Sequence, residues 1–202
     1  MGVHTEVVSS CTVESVCKEV SSNATNLENC NIFVQEVAKK LNSEGLFGGN
    51  ADNIVARMRK GEPFTKLGTS SDSATKYAAD GYLVVGGLES FNMQKKPDNG
   101  HVFVVVPGGP SQAGLDTPWT DSNGKPYPSR GGQPYCYHGS KNPKLRTPNR
   151  TQVDFLFSRT DEKNVFYAAL PVKAEANSKP SIASSDSLLS RMVARLSGAL
   201  TT

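Results

Sequence analysis

The hydrophobic period of this chain changes once, near residue 81, and that change constrains the fold more than any other feature. Before it, apolar residues recur at helical spacing. In NCNIFVQEVAKKL (residues 29–41), Phe33, Val34, Val37, Ala38 and Leu41 share one face of a helix that begins at Cys30. Gly45, Gly48 and Gly49 end that helix, and Asn50 is placed to cap a second one through ADNIVARMRK, with Ile54, Val55 and Met58 inward. CTVESVCKEV (11–20) and SDSATKYAAD (71–80) read as two shorter helices. After Gly81 come runs rich in β-branched and aromatic residues: YLVVGGL (82–88), HVFVVV (101–106), YCYHG (135–139), VDFLFS (153–158) and NVFYAALPV (164–172). Helices first and then an antiparallel sheet is the α+β pattern.

The chain has 202 residues, enough for one domain that buries a core without crosslinks or metals. We expect that domain to span residues 1–173. Residues 174–202 form a Ser-, Ala- and Lys-rich tail whose SDSLLSRMVARLSGAL reads as an amphipathic helix, with Leu188, Leu189, Met192, Val193 and Leu196 on one side. Residues 107–134, rich in Gly and Pro and without periodicity, read as one long loop, either a rim of a site or an insertion.

The 22 basic and 19 acidic residues are scattered, with no basic run to follow a phosphate backbone, so no nucleic-acid partner is expected. No apolar run approaches the roughly 20 residues that span a bilayer, and the first residues lack a basic segment followed by an apolar one. Neither membrane insertion nor the general secretory route is expected. Cys11, Cys17, Cys30 and Cys136 are too irregular for a disulfide scaffold and form no metal-binding spacing; no metal or other cofactor is expected. Within one helix Cys11 and Cys17 would stand about 9 Å apart along the axis, too far to bridge.

Cys30 has two readings. A cysteine at a helix start is either a small buried apolar residue or a nucleophile whose thiolate is favoured by the helix dipole and unsatisfied amides. His101, opening an apolar strand after a glycine turn, stands at the mouth of a sheet, where it could meet the start of a packed helix. A histidine there can stabilise the thiolate and later protonate a leaving amine. His138 shares a strand face with Cys136, opposite Tyr137, and is either the third residue orienting the catalytic imidazole or a polar residue at a strand end. His4 falls in a frayed N-terminus and carries no role.

The ordered set of NC before a helix beginning FVQ, GNA before a second helix, AADGYLVVGGL and GHVFVVV resembles the type VI secretion peptidoglycan amidase effectors, a compact papain-like group related to the NlpC/P60 cysteine peptidases. The match runs from about residue 11 to 170. The resemblance implies a papain-like fold, with N-terminal helices on an antiparallel sheet, and an antibacterial toxin that hydrolyses the peptide stems of peptidoglycan between γ-D-glutamate and meso-diaminopimelate. It implies Cys30 as nucleophile, His101 as general base and acid, and His138 at the polar third position. It also implies a cognate immunity protein and export from the producing cytoplasm by the contractile apparatus, to act in the periplasm of a target bacterium. The sequence departs from the group at Asn31, where many relatives carry serine, in the longer segments flanking His101, and in the tail. Three alternatives stay open: a CHAP-type amidase cutting another wall bond, acyl transfer to an amine, and a catalytically idle papain-like binding module.

Overall fold

The computed structural model describes residues 10–43, 47–110 and 129–172. The chain starts with helix α1 (Ser10–Ser21), a 3-10 turn at Ala24–Glu28, then α2 (Cys30–Lys40) and α3 (Ala51–Lys60). Strand β1 (Thr65–Gly68) and helix α4 (Ser71–Ala79) precede β2 (Leu83–Leu88) and β3 (His101–Pro110). Then come β4 (Pro134–Tyr137), β5 (Thr151–Gln152), two single-turn helices, α5 (Val153–Leu156) and α6 (Arg159–Glu162), and β6 (Phe166–Leu170). The strands form one six-stranded antiparallel sheet in the order β1-β6-β2-β3-β4-β5. The protein is thus α+β, as its change of period predicts.

Strand alternation divides the core. Val102, Val104 and Val106 of β3 pack with Val13, Phe33, Val34, Val37, Ile54 and Met58 from α1, α2 and α3. Phe103 and Val105 face the other way, onto Ala74 and Ala78 of α4 and onto Val153 and Phe157. Helices therefore cover both faces of the sheet. Their apolar residues follow the expected periods, and the capping is local: Asn50 and Asn53 make a reciprocal capping box on α3, and the Ser70 side chain accepts from the Ser73 amide at the start of α4.

Two expectations are corrected, and one strand is added. VDFLFS is not a strand: only Thr151 and Gln152 pair with β4, and Val153–Leu156 turns into a helix. That turn buries Val153 and Asp154, and the Asp154 carboxylate accepts from Ser129 Oγ at 3.0 Å and from the Arg130 amide. The residues 107–110 expected in the long loop extend β3 instead, with Pro110 opposite Pro134 across a register shift. TKLG, unassigned from sequence, is the edge strand β1, paired with β6. The amphipathic segment in 174–202, His4 and loop residues 111–128 lie outside the described residues. Among the described residues no helix is long and apolar enough to cross a membrane.

Candidate active site

Cys30 is the first residue of α2, and Asn29 before it has extended backbone with φ −142° and ψ 132°. The Asn29 carbonyl accepts the first helical bond, from the Phe33 amide at 3.0 Å, but its side chain makes no capping bond. The first amides of α2 are thus not closed off by their own N-cap. The approach to Cys30 is fixed from the other side by Gly139, where a β-carbon would stand 2.6 Å from the Asn29 carbonyl oxygen and 2.9 Å from that of Asn26. The Ser140 amide donates to the Leu27 carbonyl at 2.8 Å, fastening the end of β4 to the 3-10 turn that delivers the cysteine.

His101 is the first residue of β3, opposite Leu88 of β2. Its ring meets that of His138 edge to face, with centroids 5.3 Å apart, and that of Phe157 at 5.8 Å. His138 follows directly on β4 and is buried, its Nδ1 3.1 Å from the Gly139 carbonyl. The structure thus brings the two predicted histidines together. Nε2 of each is buried without a hydrogen-bond partner among the described residues.

Cys30 and His101 line one cleft of about 610 Å³ with Asn29, Asn50, Met93, Asn99, Ser140 and Lys141 among its other walls. They do not bond each other: Sγ of Cys30 lies 3.9 Å from the Gly100 carbonyl, one residue before His101. By strand alternation His101 shares the Phe103 side of β3, whereas α2 packs on the Val102 side. The two residues therefore reach the cleft from opposite faces of the sheet.

Burial sets the resting charges. It raises the Cys30 thiol above its ordinary value, against the opposing pull of the Val102, Asn31 and Cys30 amides and of the Lys141 ammonium. The helix start alone predicts a favoured thiolate; desolvation outweighs it. Burial likewise lowers His101 to about 3, with the neighbouring His138 adding to the effect, and lowers His138 to about 4 against the Gly139 carbonyl. The pair rests as thiol and neutral imidazole.

Cys17 and Cys136 do not line this cleft. Both are buried free thiols, in the two separate core clusters. No group of three or more His, Cys, Asp or Glu among the described residues is arranged to hold a metal ion.

Sequence reasoning missed the residues that join the walls. Asp52, read only as part of a helix, reaches from the first turn of α3 to the amides of Ser90 (2.8 Å) and Gly100 (3.0 Å) and to the Ser90 hydroxyl (2.8 Å). Asn50 caps α3 as expected, but its Nδ2 also donates to Asn99 Oδ1 at 3.2 Å. The available signal was an acid in the first turn of a helix that already has a cap. No family model and no curated protein matches this chain.

Proposed function

We propose that this protein is a cysteine amidase that hydrolyses the peptide stems of peptidoglycan, and that its helices and sheet are a papain-like arrangement related to the NlpC/P60 peptidases. One observation carries the chemistry: Cys30, at a helix start whose N-cap side chain leaves the amides open, and His101, at a strand start, line the same cleft. The ordered motifs of the sequence supply the substrate class, with the bond between γ-D-glutamate and meso-diaminopimelate as the one cut.

His101 takes the thiol proton as Sγ of Cys30 attacks the amide carbonyl carbon, so proton transfer accompanies attack in a pair that rests uncharged. Amides at the start of α2 donate to the oxyanion that forms. The carbon–nitrogen bond then breaks, and His101 gives its proton to the departing diaminopimelate amine. Water attacks the thioester, passing a proton to His101, and the thiol is restored as the acid product leaves. His138, against the His101 ring, is the third residue and holds that ring in place. Lys141 on the cleft wall suits an anionic stem. In this reading the protein is an antibacterial cargo of a type VI system, acts in the target periplasm, and is restrained in its own cell by an immunity protein.

The idle binding module remains the second reading, because no hydrogen bond joins Cys30 to His101 and the thiol contact is to Gly100. Digestion of diaminopimelate-type peptidoglycan with wild type, Cys30→Ala and His101→Ala, read by mass spectrometry of the fragments, separates the two. Fragments with a new diaminopimelate amine from wild type alone support the amidase. A different new terminus points to a CHAP-type cut, and silence from all three on intact and fragmented wall overturns the enzyme reading.

A further inference from the structure

The cleft raises a question of registration. Cys30 begins α2 on one face of the sheet, His101 points to the other, and no bond joins them, so something else must set their separation. Both are tied to residues 49–52. From α2, Asn31 Nδ2 and Gln35 Nε2 donate to the Gly49 carbonyl at 3.1 and 2.7 Å. From the other side, Asn50 holds Asn99, and Asp52 Oδ1 accepts the Gly100 amide at 3.0 Å.

Asp52 is not occupied with its own helix, because α3 already has a reciprocal capping box from Asn50 and Asn53. Its carboxylate instead fastens both ends of segment 90–100: Oδ1 accepts from the Ser90 and Gly100 amides, and Oδ2 from the Ser90 hydroxyl. The fit at Gly100 is closed, since a β-carbon there would lie 2.5 Å from Asp52 Oδ1 and 2.3 Å from the Leu88 carbonyl oxygen. That peptide has its amide on Asp52 and its carbonyl 3.9 Å from the Cys30 sulfur, and the next residue is His101. The same segment supplies Met93, Pro97, Asp98 and Asn99 to the cleft wall.

Resting on the reading of this cleft as a Cys-His amidase site, we propose that Asp52 is a positioning residue for the reaction, which holds the Gly100 peptide so that His101 stands in register with Cys30. It touches no substrate. Its loss lowers turnover by releasing the histidine, not by weakening binding. Asp52→Asn keeps the geometry, because Oδ1 still accepts both amides and the new Nδ2 can donate to the Ser90 hydroxyl.

The test begins without a substrate. The rate of Cys30 alkylation by iodoacetamide is followed from pH 5 to 9 by mass spectrometry of the Cys30 peptide, in wild type, His101→Ala, Asp52→Ala, Asp52→Asn and Ser90→Ala. Asp52→Ala should shift the profile toward that of His101→Ala, Asp52→Asn should restore the wild-type profile, and Ser90→Ala should shift it the same way by less. On a soluble muropeptide, Asp52→Ala should lower kcat by roughly tenfold or more at nearly unchanged KM, since misplacement of a reacting group of about 1 Å costs up to 10²-fold. Should Asp52→Ala fail to fold, Ser90→Ala and Asp52→Asn decide by the same criteria. A profile for Asp52→Ala, or for Ser90→Ala in its place, that coincides with wild type while His101→Ala differs overturns the role of Asp52 and leaves the Cys-His reading standing. If His101→Ala also coincides with wild type, the Cys-His reading falls, and this proposal with it.

Discussion

His101 and His138 stand edge to face with ring centroids 5.3 Å apart, and neither Nε2 has a hydrogen-bond partner among the described residues. Two imidazoles this close cannot both be protonated cheaply in a buried place, and each is held neutral by burial.

The fold should therefore weaken in acid in a way that tracks His138. Its value is lowered to about 4, while an unfolded histidine titrates near ~6.5, so between these pH values the unfolded chain binds a proton that the folded chain refuses. Stability is full above ~6.5 and falls as pH drops toward 4, by on the order of 3 kcal/mol for this group alone. His138→Gln should reduce the slope in that part of a urea-denaturation series run from pH 7.5 to 4, leaving the share that His101 contributes. An unchanged slope would show that His138 does not refuse its proton in the fold.

Gly139→Ala should harm activity more than stability. The new methyl would press on the Asn29 and Asn26 carbonyl oxygens, at 2.6 and 2.9 Å, and move the turn that delivers Cys30. We expect a loss of about 1–3 kcal/mol in chemical denaturation, as for other overpacked sites. The loss in kcat/KM on a muropeptide should be at least about tenfold beyond the fraction unfolded. Activity falling only in step with folded fraction would separate this turn from the chemistry.

Lys141→Ala should slow Cys30 alkylation at neutral pH. The ammonium lies on the cleft wall and favours the thiolate, against the larger effect of burial. Because Lys141 is exposed, the effect should be modest, roughly two- to fivefold, and should shrink in high salt. Rates that are equal at low salt would contradict it.

Arg59→Ala should destabilise the fold through Glu89. The Glu89 side chain is 3% exposed and accepts from Arg59 Nε at 2.6 Å, while Arg59 itself remains 39% exposed. Burial pushes the Glu89 carboxyl up, but hydrogen bonds from Arg59, its own amide and Asn92, with the Arg59 charge, hold it below its usual value. The pair's contribution is thus present above the unfolded value near ~4.3 and is lost as pH falls through the lower folded value. Removing Arg59 should cost roughly 2 kcal/mol at pH 7, less than a fully buried pair because the guanidinium is wet. It also removes the stacking of Arg59 on Phe166, at 4.6 Å from the ring centroid. Arg59→Met, which keeps the apolar stem, tells the two contributions apart by denaturation at pH 7 and pH 4.

What was legible in the sequence was local. The face Phe33, Val34, Val37, Ala38, Leu41, the cap at Asn50, the start of α2 at Cys30 and the strand opening at His101 all depend on neighbours within a few residues, and all appear in the structure. VDFLFS misled because its apolar residues suit a short strand as well as a helical turn. Its choice was made by Asp154, which reaches back to Ser129 and Arg130, 25 and 24 residues away.

The sequence by itself determined the α+β composition, most helix and strand positions, and the placement of Cys30 at a helix start and His101 at a strand start, because periodicity, caps and turns act over one or two turns of chain. Tertiary structure decided the rest. It set α4 on the far face of the sheet, brought His138 to the ring of His101, and made Cys30 a resting thiol rather than a thiolate. It also put Asp52 on Gly100, 48 residues along the chain. Each of these rests on desolvation or on a contact between distant segments, and neither exists until the chain has closed around its core.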